Sequence, residues 1–190
     1  FMSSFLLELR QLPRLVSESA RELHNLRSLV GTALLIALSV VINQFTIVIS
    51  TTFELSLSFL PEAVAGMLFG PVVTGVGCIA ADLVKFAFLP NGGFSIAFTF
   101  TEFLTGFIFG CVFYHKRITA ARAVVAQLLV MIFINLTLTP LILSVMYGSP
   151  FWPSLPPRII RNVFFIWPIY SFLMYVVCKA VSSRRLYPAR

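Results

Sequence analysis

Apolar runs of about 20 residues, the length a helix needs to cross a bilayer, recur along almost the whole chain. They cover approximately Leu29–Ile49, Phe59–Phe69, 71–89, Ser95–Tyr114, Val124–Met146 and Arg158–Val181. The second is short for a crossing unless part of the preceding segment joins it. That segment changes period: Phe53, Leu55, Leu57 and Phe59 alternate with Glu54, Ser56 and Ser58, which predicts an extended stretch or short hairpin outside the membrane. Ahead of the first run, apolar positions at Phe5, Leu9, Leu12, Val16, Leu23 and Leu26 interleave with arginines. This fits an amphipathic helix lying on the cytoplasmic face of the membrane, broken near Pro13, and equally a plain leader to the first span. Trp167-Pro168 predicts a kink in the last run. The pattern predicts an all-α polytopic membrane protein of six transmembrane helices. The chain divides into an N-terminal segment (1–28), a membrane domain (29–181) and a basic tail (182–190).

Composition agrees: 58% of residues are hydrophobic and 11% charged, outside the range of soluble domains. A transmembrane barrel would alternate in segments of about 10 residues, and no such series occurs. No compact apolar core precedes a small-residue site near the start, so no cleavable signal peptide is expected. The net charge of +7 raises nucleic acid as a partner, but its distribution excludes it. Most of the cations fall in three clusters: Arg10, Arg14, Arg21 and Arg27; Lys116, Arg117 and Arg122; and Lys179, Arg184, Arg185 and Arg190. With six spans and a cytoplasmic N-terminus, all three clusters lie on the cytoplasmic side, as the positive-inside rule requires, and so do both termini. Cys78, Cys111 and Cys178 sit in apolar runs without metal or redox spacing and read as packing residues.

Lys85, Arg158 and Arg161 remain, together with Glu54, Glu62, Asp82 and Glu102, all toward the outer half. An ionisable group in hydrocarbon costs roughly 2.5–3.5 kcal/mol on insertion scales, so each is either paired or used. One reading pairs Asp82 with Lys85 at i,i+3 and hydrogen-bonds Glu102 to threonines, as folding glue. The other starts from the stripe Ser95, Thr99, Glu102 and Gly106 on one face, the wall of a cavity. Arg158 and Asn162 share a face below the aromatic, proline-rich loop 147–157. Carboxylates, guanidiniums and phenylalanines around an outward-facing pocket suit a flat, polar, anionic small molecule. Ala33 and Ala37 form a small-xxx-small pair that lets a neighbouring helix approach closely. Catalysis has little support: His24 and His115 lack partner spacing, and no zinc-protease, nucleophile-elbow or Walker motif is present. No metal or cofactor is called for, and any use of ATP must come from a partner.

Leu57-Ser-Phe-Leu-Pro61, Ala65-Gly-Met-Leu-Phe-Gly-Pro71, Asp82-Leu83, Gly93-Phe94-Ser95-Ile96 and Leu104-Thr-Gly106 occur in that order. Together they resemble the substrate-binding S components of energy-coupling factor (ECF) vitamin transporters. Tyr147-Gly-Ser-Pro-Phe-Trp152, Leu155-Pro-Pro-Arg158 and Arg161-Asn162 are similar to the folate-specific branch. The resemblance covers roughly Leu29 to Val181. It implies a bacterial plasma-membrane protein with a vitamin pocket closed by the extracellular loops after spans 1, 3 and 5. It also implies a transmembrane coupling subunit and two cytoplasmic ATPase subunits as partners, and transport by toppling. Ala33 and Ala37 then become the docking face for the coupling subunit. Substrate contacts are expected from Glu62, Asp82, Lys85, Phe94, Ser95, Glu102, Trp152, Arg158, Arg161 and Asn162. Asp82 or Glu62 would hold a pterin ring, and Lys85, Arg158 or Arg161 its anionic or carbonyl groups. Gly92-Gly93-Phe94 replaces an expected Pro-Gly-Phe, and Glu62 stands where an apolar residue is usual. Alternatives are an S component for riboflavin, biotin or pantothenate, and a stand-alone carrier or channel.

Overall fold

The structure, a computed structural model, describes residues 13–50, 53–88, 95–148, 156, 158–160 and 162–183. A short helix α1 (13–22) leads through a turn into α2 (Leu26–Gln44), whose N-cap Asn25 accepts a hydrogen bond from the Arg27 amide. Of the alternating segment, Phe53–Leu55 forms strand β2, which pairs antiparallel with β1 (Ile47–Ser50) as a ribbon, Ile47 opposite Leu55. The first span therefore ends at Gln44, short of the expected Ile49, because its last residues pair in the ribbon. Helices α3 (Phe59–Phe69) and α4 (Pro71–Phe88) follow, then α5 (Ile96–Phe113), α6 (Ala120–Val130), α7 (Thr139–Tyr147) and α8 (Trp167–Ser183).

Two π-helical stretches interrupt the regular turns: Met131–Leu138 between α6 and α7, and Asn162–Ile166 before α8. Each ends just before a proline, Pro140 or Pro168. A proline has no amide hydrogen and its ring collides with the carbonyl four residues back, and widening the preceding turns relieves that collision. Thr137 reinforces the wider turn, its hydroxyl donating to the Ile132 carbonyl at 2.8 Å. The irregularity expected at Trp167-Pro168 is therefore a π-stretch.

The chain is an all-α polytopic membrane protein apart from the ribbon. Among the described residues, four helical stretches are long and apolar enough to cross a membrane: Leu26–Gln44, Pro71–Phe88, Ile96–Phe113 and Ala120–Met146. Helix α3 has 11 residues, about 16 Å of rise, and α8 has 17.

The core lies where α3, α5, α6 and α8 meet, around Phe109, Phe113, Ala123, Ala126 and Met174, each fully buried. Helix α5 approaches the α3–α4 turn closely at Gly110, where a Cβ would fall 2.3 Å from Pro71 Cα. The turn itself needs Gly70, whose φ of +86° only glycine adopts without strain. Ser19 of α1 is fully buried against this turn. Its hydroxyl donates to the Phe69 carbonyl at 3.1 Å and accepts from the Val72 amide at 3.0 Å, so α1 caps α4 from outside.

Candidate functional site

Glu62, Asp82, Lys85 and Glu102 converge at the end of the bundle that carries the ribbon. Glu62 is in the first turn of α3, Lys85 in the last turn of α4, and Glu102 near the start of α5. Because α4 reverses direction at Gly70 and α5 runs back again, these three helix ends coincide. Ser39, near the end of α2, reaches the same level.

Glu62 is 3% exposed and is the centre of the cluster. Its Oε1 accepts from the Ser39 hydroxyl at 2.5 Å and from Lys85 Nζ at 3.4 Å. Its place at the N-terminal turn of α3 adds the favourable field of the helix dipole. Asp82 is bound separately: its Oδ2 accepts from the Thr99 hydroxyl of α5 at 2.6 Å. Glu102 is half-buried and lies within electrostatic reach of Lys85, Glu62 and Asp82, but makes no hydrogen bond to a described residue. Two carboxylates, Glu62 and Glu102, thus share one ammonium.

This arrangement corrects the i,i+3 reading of the sequence. Lys85 pairs with Glu62 across helices, not with Asp82 on its own helix. Threonine does serve a carboxylate, but it is Thr99 on Asp82 and not a partner for Glu102. The Glu62 position, unusual by resemblance, is filled by a buried ion pair.

The other expected site residues are distributed as follows. Ser95 is the N-cap of α5, its hydroxyl accepting from the Ala97 amide at 3.3 Å. Asn162 is 1% exposed at the start of the second π-stretch. Arg158 is half-buried in the helical residues 158–160 and makes no ion pair with a described residue. Phe94, Trp152 and Arg161 lie outside the described residues, as do the Pro90–Phe94 loop and most of the loop 147–157. Of the expected loops, the one after α2 is anchored: Ser56 donates to Asn43 of α2 at 3.1 Å, and its amide to the Tyr170 hydroxyl of α8 at 3.1 Å. The Tyr170 ring stacks on Phe59, centroids 4.2 Å apart.

Ala33 and Ala37 lie on the exposed side of α2. They line a groove of about 490 Å³ between α2 and α4, with Ile36, Val40, Val76 and Gly77 among the other lining residues. The adjoining buried side of α2 carries Thr32, Ile36, Ser39 and Val40, of which Ser39 does not line the groove. Ser39 escaped the sequence reading. Its only signal was a hydroxyl at i+7 from Thr32, and nothing local told it from an ordinary helix serine.

A cluster of intramembrane carboxylates with no metal-ligand cluster among the described residues suits the binding of a small polar molecule. Comparison with known proteins gives the same direction. The family model described as "ECF transporter, substrate-specific component" matches residues 27–184. The chain belongs to this family. Relatives of this S component include the folate transporter FolT of Clostridium novyi, 25% identical over 150 residues, 79% of this chain and 87% of that protein. FolT of Streptococcus mutans is 29% identical over 131 residues, covering 65% and 70% of the two chains. A crystal structure of FolT bound with folic acid superposes with a TM-score of 0.75 at 37% identity, covering 82% of this chain and 95% of that one. As an S component the chain is a transport protein of a bacterial membrane, not an enzyme.

Proposed function

We propose that this chain is the high-affinity folate-binding S component of an ATP-driven ECF uptake transporter. The observation that carries the reading is the 37% identity to a folate-bound structure over 95% of its length, joined to the carboxylate cluster. A pterin edge carries adjacent N–H donors, which a carboxylate accepts in pairs, and charge-assisted bonds of this kind are the strong ones. Glu62 is committed to Ser39 and Lys85, and one Asp82 oxygen to Thr99. Glu102 and the remaining Asp82 oxygen are therefore the acceptors for the ring. Lys85, held by Glu62, leaves the anionic tail to Arg158 and Arg161, with Phe94 and Trp152 closing on the flat face.

The cluster belongs to the outer side. Supporting this, α1, the Gly70 turn and the basic stretch 115–119 gather at the opposite end of the bundle, the end the positive-inside rule assigns to the cytoplasm. Six crossings follow if α3 and the ribbon segment together complete the second and residues 158–183 the sixth. Both termini are then cytoplasmic. The groove face of α2 with Ala33 and Ala37 docks the transmembrane coupling subunit. Two ATPase subunits complete the module, and the loaded S component topples to deliver its vitamin.

Titration calorimetry of the purified full chain with folic acid, riboflavin, biotin and pantothenate tests this reading. Folic acid binds tightly and the others do not, and Glu102→Gln weakens folic acid at least tenfold, the cost of about one charge-assisted hydrogen bond. Tight binding of another vitamin in place of folic acid would overturn the folate assignment. Concentrative uptake in a host lacking coupling and ATPase subunits would overturn the ECF mechanism.

A further inference from the structure

Helix α2 carries two different faces at neighbouring turns. One, with Ala33 and Ala37, is exposed. The other is buried, and from it Ser39 reaches the charge cluster. A serine inside an apolar helix ordinarily returns its hydroxyl hydrogen to a carbonyl of the preceding turn, where it stabilises nothing outside the helix. Here the hydroxyl, fully buried, donates instead to Glu62 Oε1 on α3, at 2.5 Å, the shortest contact the cluster makes. The same oxygen takes Lys85 Nζ from α4 at 3.4 Å. One carboxylate oxygen therefore joins three helices.

We propose that Ser39 is a positioning residue of the binding site: its hydroxyl fixes the Glu62 carboxylate, and through it keeps the Lys85 hydrogen bond on Glu62 and off Glu102, which receives the ligand. The inference deepens the folate reading and rests on it for the identity of the ligand.

Lys85 has two carboxylates within electrostatic reach, Glu102 and Glu62, and its hydrogen bond to Glu62 is long for a charge-assisted bond. What keeps it on Glu62 is the second donor on that oxygen, which orients the carboxylate toward α4 and supplies part of its solvation in a dry site. Without the hydroxyl, Glu62 is a single long contact, and the flexible lysine stem can carry the ammonium to Glu102. An ammonium on Glu102 competes for the same lone pairs as the ligand's N–H groups. The hydroxyl thereby divides the carboxylates into one that braces and two that bind.

The experiment is a double-mutant cycle on the full-length chain in detergent or nanodiscs, read by folic acid affinity and by ligand-free thermal unfolding. Ser39→Ala weakens folic acid binding about tenfold, and Ser39→Thr, which keeps the hydroxyl, recovers most of it. In a Glu62→Gln background the same Ser39→Ala change has little further effect, because the partner it positions is gone. In ligand-free protein, Ser39→Ala and Lys85→Met lower the unfolding temperature by less together than the sum of their separate effects. A full affinity loss from Ser39→Ala in the Glu62→Gln background, or unchanged affinity despite a lower unfolding temperature, would reduce Ser39 to a packing residue and overturn the proposal. If the unmutated chain itself does not bind folic acid, the folate reading falls. The ligand-free cycle then decides the Ser39–Glu62–Lys85 arrangement alone, and additive effects there overturn it.

Discussion

Glu62 shows how the environment of one residue sets its meaning. A carboxylate buried to 3% exposure in a membrane protein is costly to desolvate, and its ion pair recovers that cost only if both partners are present. Glu62→Ala removes the hydrogen-bonded partner of Lys85 and leaves its ammonium to Glu102 alone, which should destabilise the protein by about 1–3 kcal/mol. The double variant Glu62→Leu/Lys85→Met removes both charges and should unfold within about 1 kcal/mol of the parent, since an apolar pair of similar size often replaces a buried ion pair without loss. Denaturant unfolding in micelles checks both. If the pair only braced the bundle, the double variant would also bind folic acid normally, whereas disturbed ligand geometry predicts weaker binding. The charges themselves were legible in the sequence because apolar surroundings made them conspicuous. Their partners were not: the i,i+3 spacing offered Asp82 to Lys85, and the packing of α3 against α4 offered Glu62.

At the scale of elements, the helices follow from hydrophobic run length and the breaks from proline and glycine, but helix approach is set by contacts the sequence does not display. Gly110 sits inside α5, where replacement by alanine would ordinarily gain about 1 kcal/mol of helix propensity. Its Cβ would meet Pro71 Cα at 2.3 Å and Pro71 N at 2.4 Å, both backbone atoms that cannot turn aside. Overpacking of this kind costs about 1–3 kcal/mol, so Gly110→Ala should lower the unfolding temperature in spite of its better propensity. A rise in that temperature would show that α5 slides freely past the α3–α4 turn. Gly66/Gly70 and Gly106/Gly110 each stand four apart in the sequence, the small-residue spacing that lets helices approach closely. That Gly110 packs on a turn rather than on a straight helix, and that Ser19 of α1 caps the same turn, needed the fold. The ribbon was legible from its period of two, because alternation survives whatever the strand pairs with.

For the whole molecule, the two ends of the bundle carry opposite roles: carboxylates at the ribbon end, cations and the capped turn at the other. Helix α2 spans both and presents the groove with Ala33 and Ala37 between them. Placing a large side chain there should separate binding from transport. Ala33→Trp leaves folic acid affinity of the purified chain within about twofold and reduces uptake at least tenfold in cells carrying a coupling module, the effect of losing roughly 1.4 kcal/mol or more of docking energy. Uptake at the unmutated rate would remove this face from the docking surface.

The sequence by itself determined the membrane class, the longer apolar helices, the proline and glycine breaks and the family. Each of these depends on composition, period or charge position along one dimension, and apolar run length and residue order survive any rearrangement of neighbours. Only the tertiary structure decided which ionisable groups meet. Glu62 and Lys85 stand 23 positions apart, as do Ser39 and Glu62. Such separations come together only when α2, α3 and α4 pack with a particular rotation about their axes. That rotation is set by many small van der Waals contacts, among them the close approach at Gly110, and no periodicity along the chain encodes it.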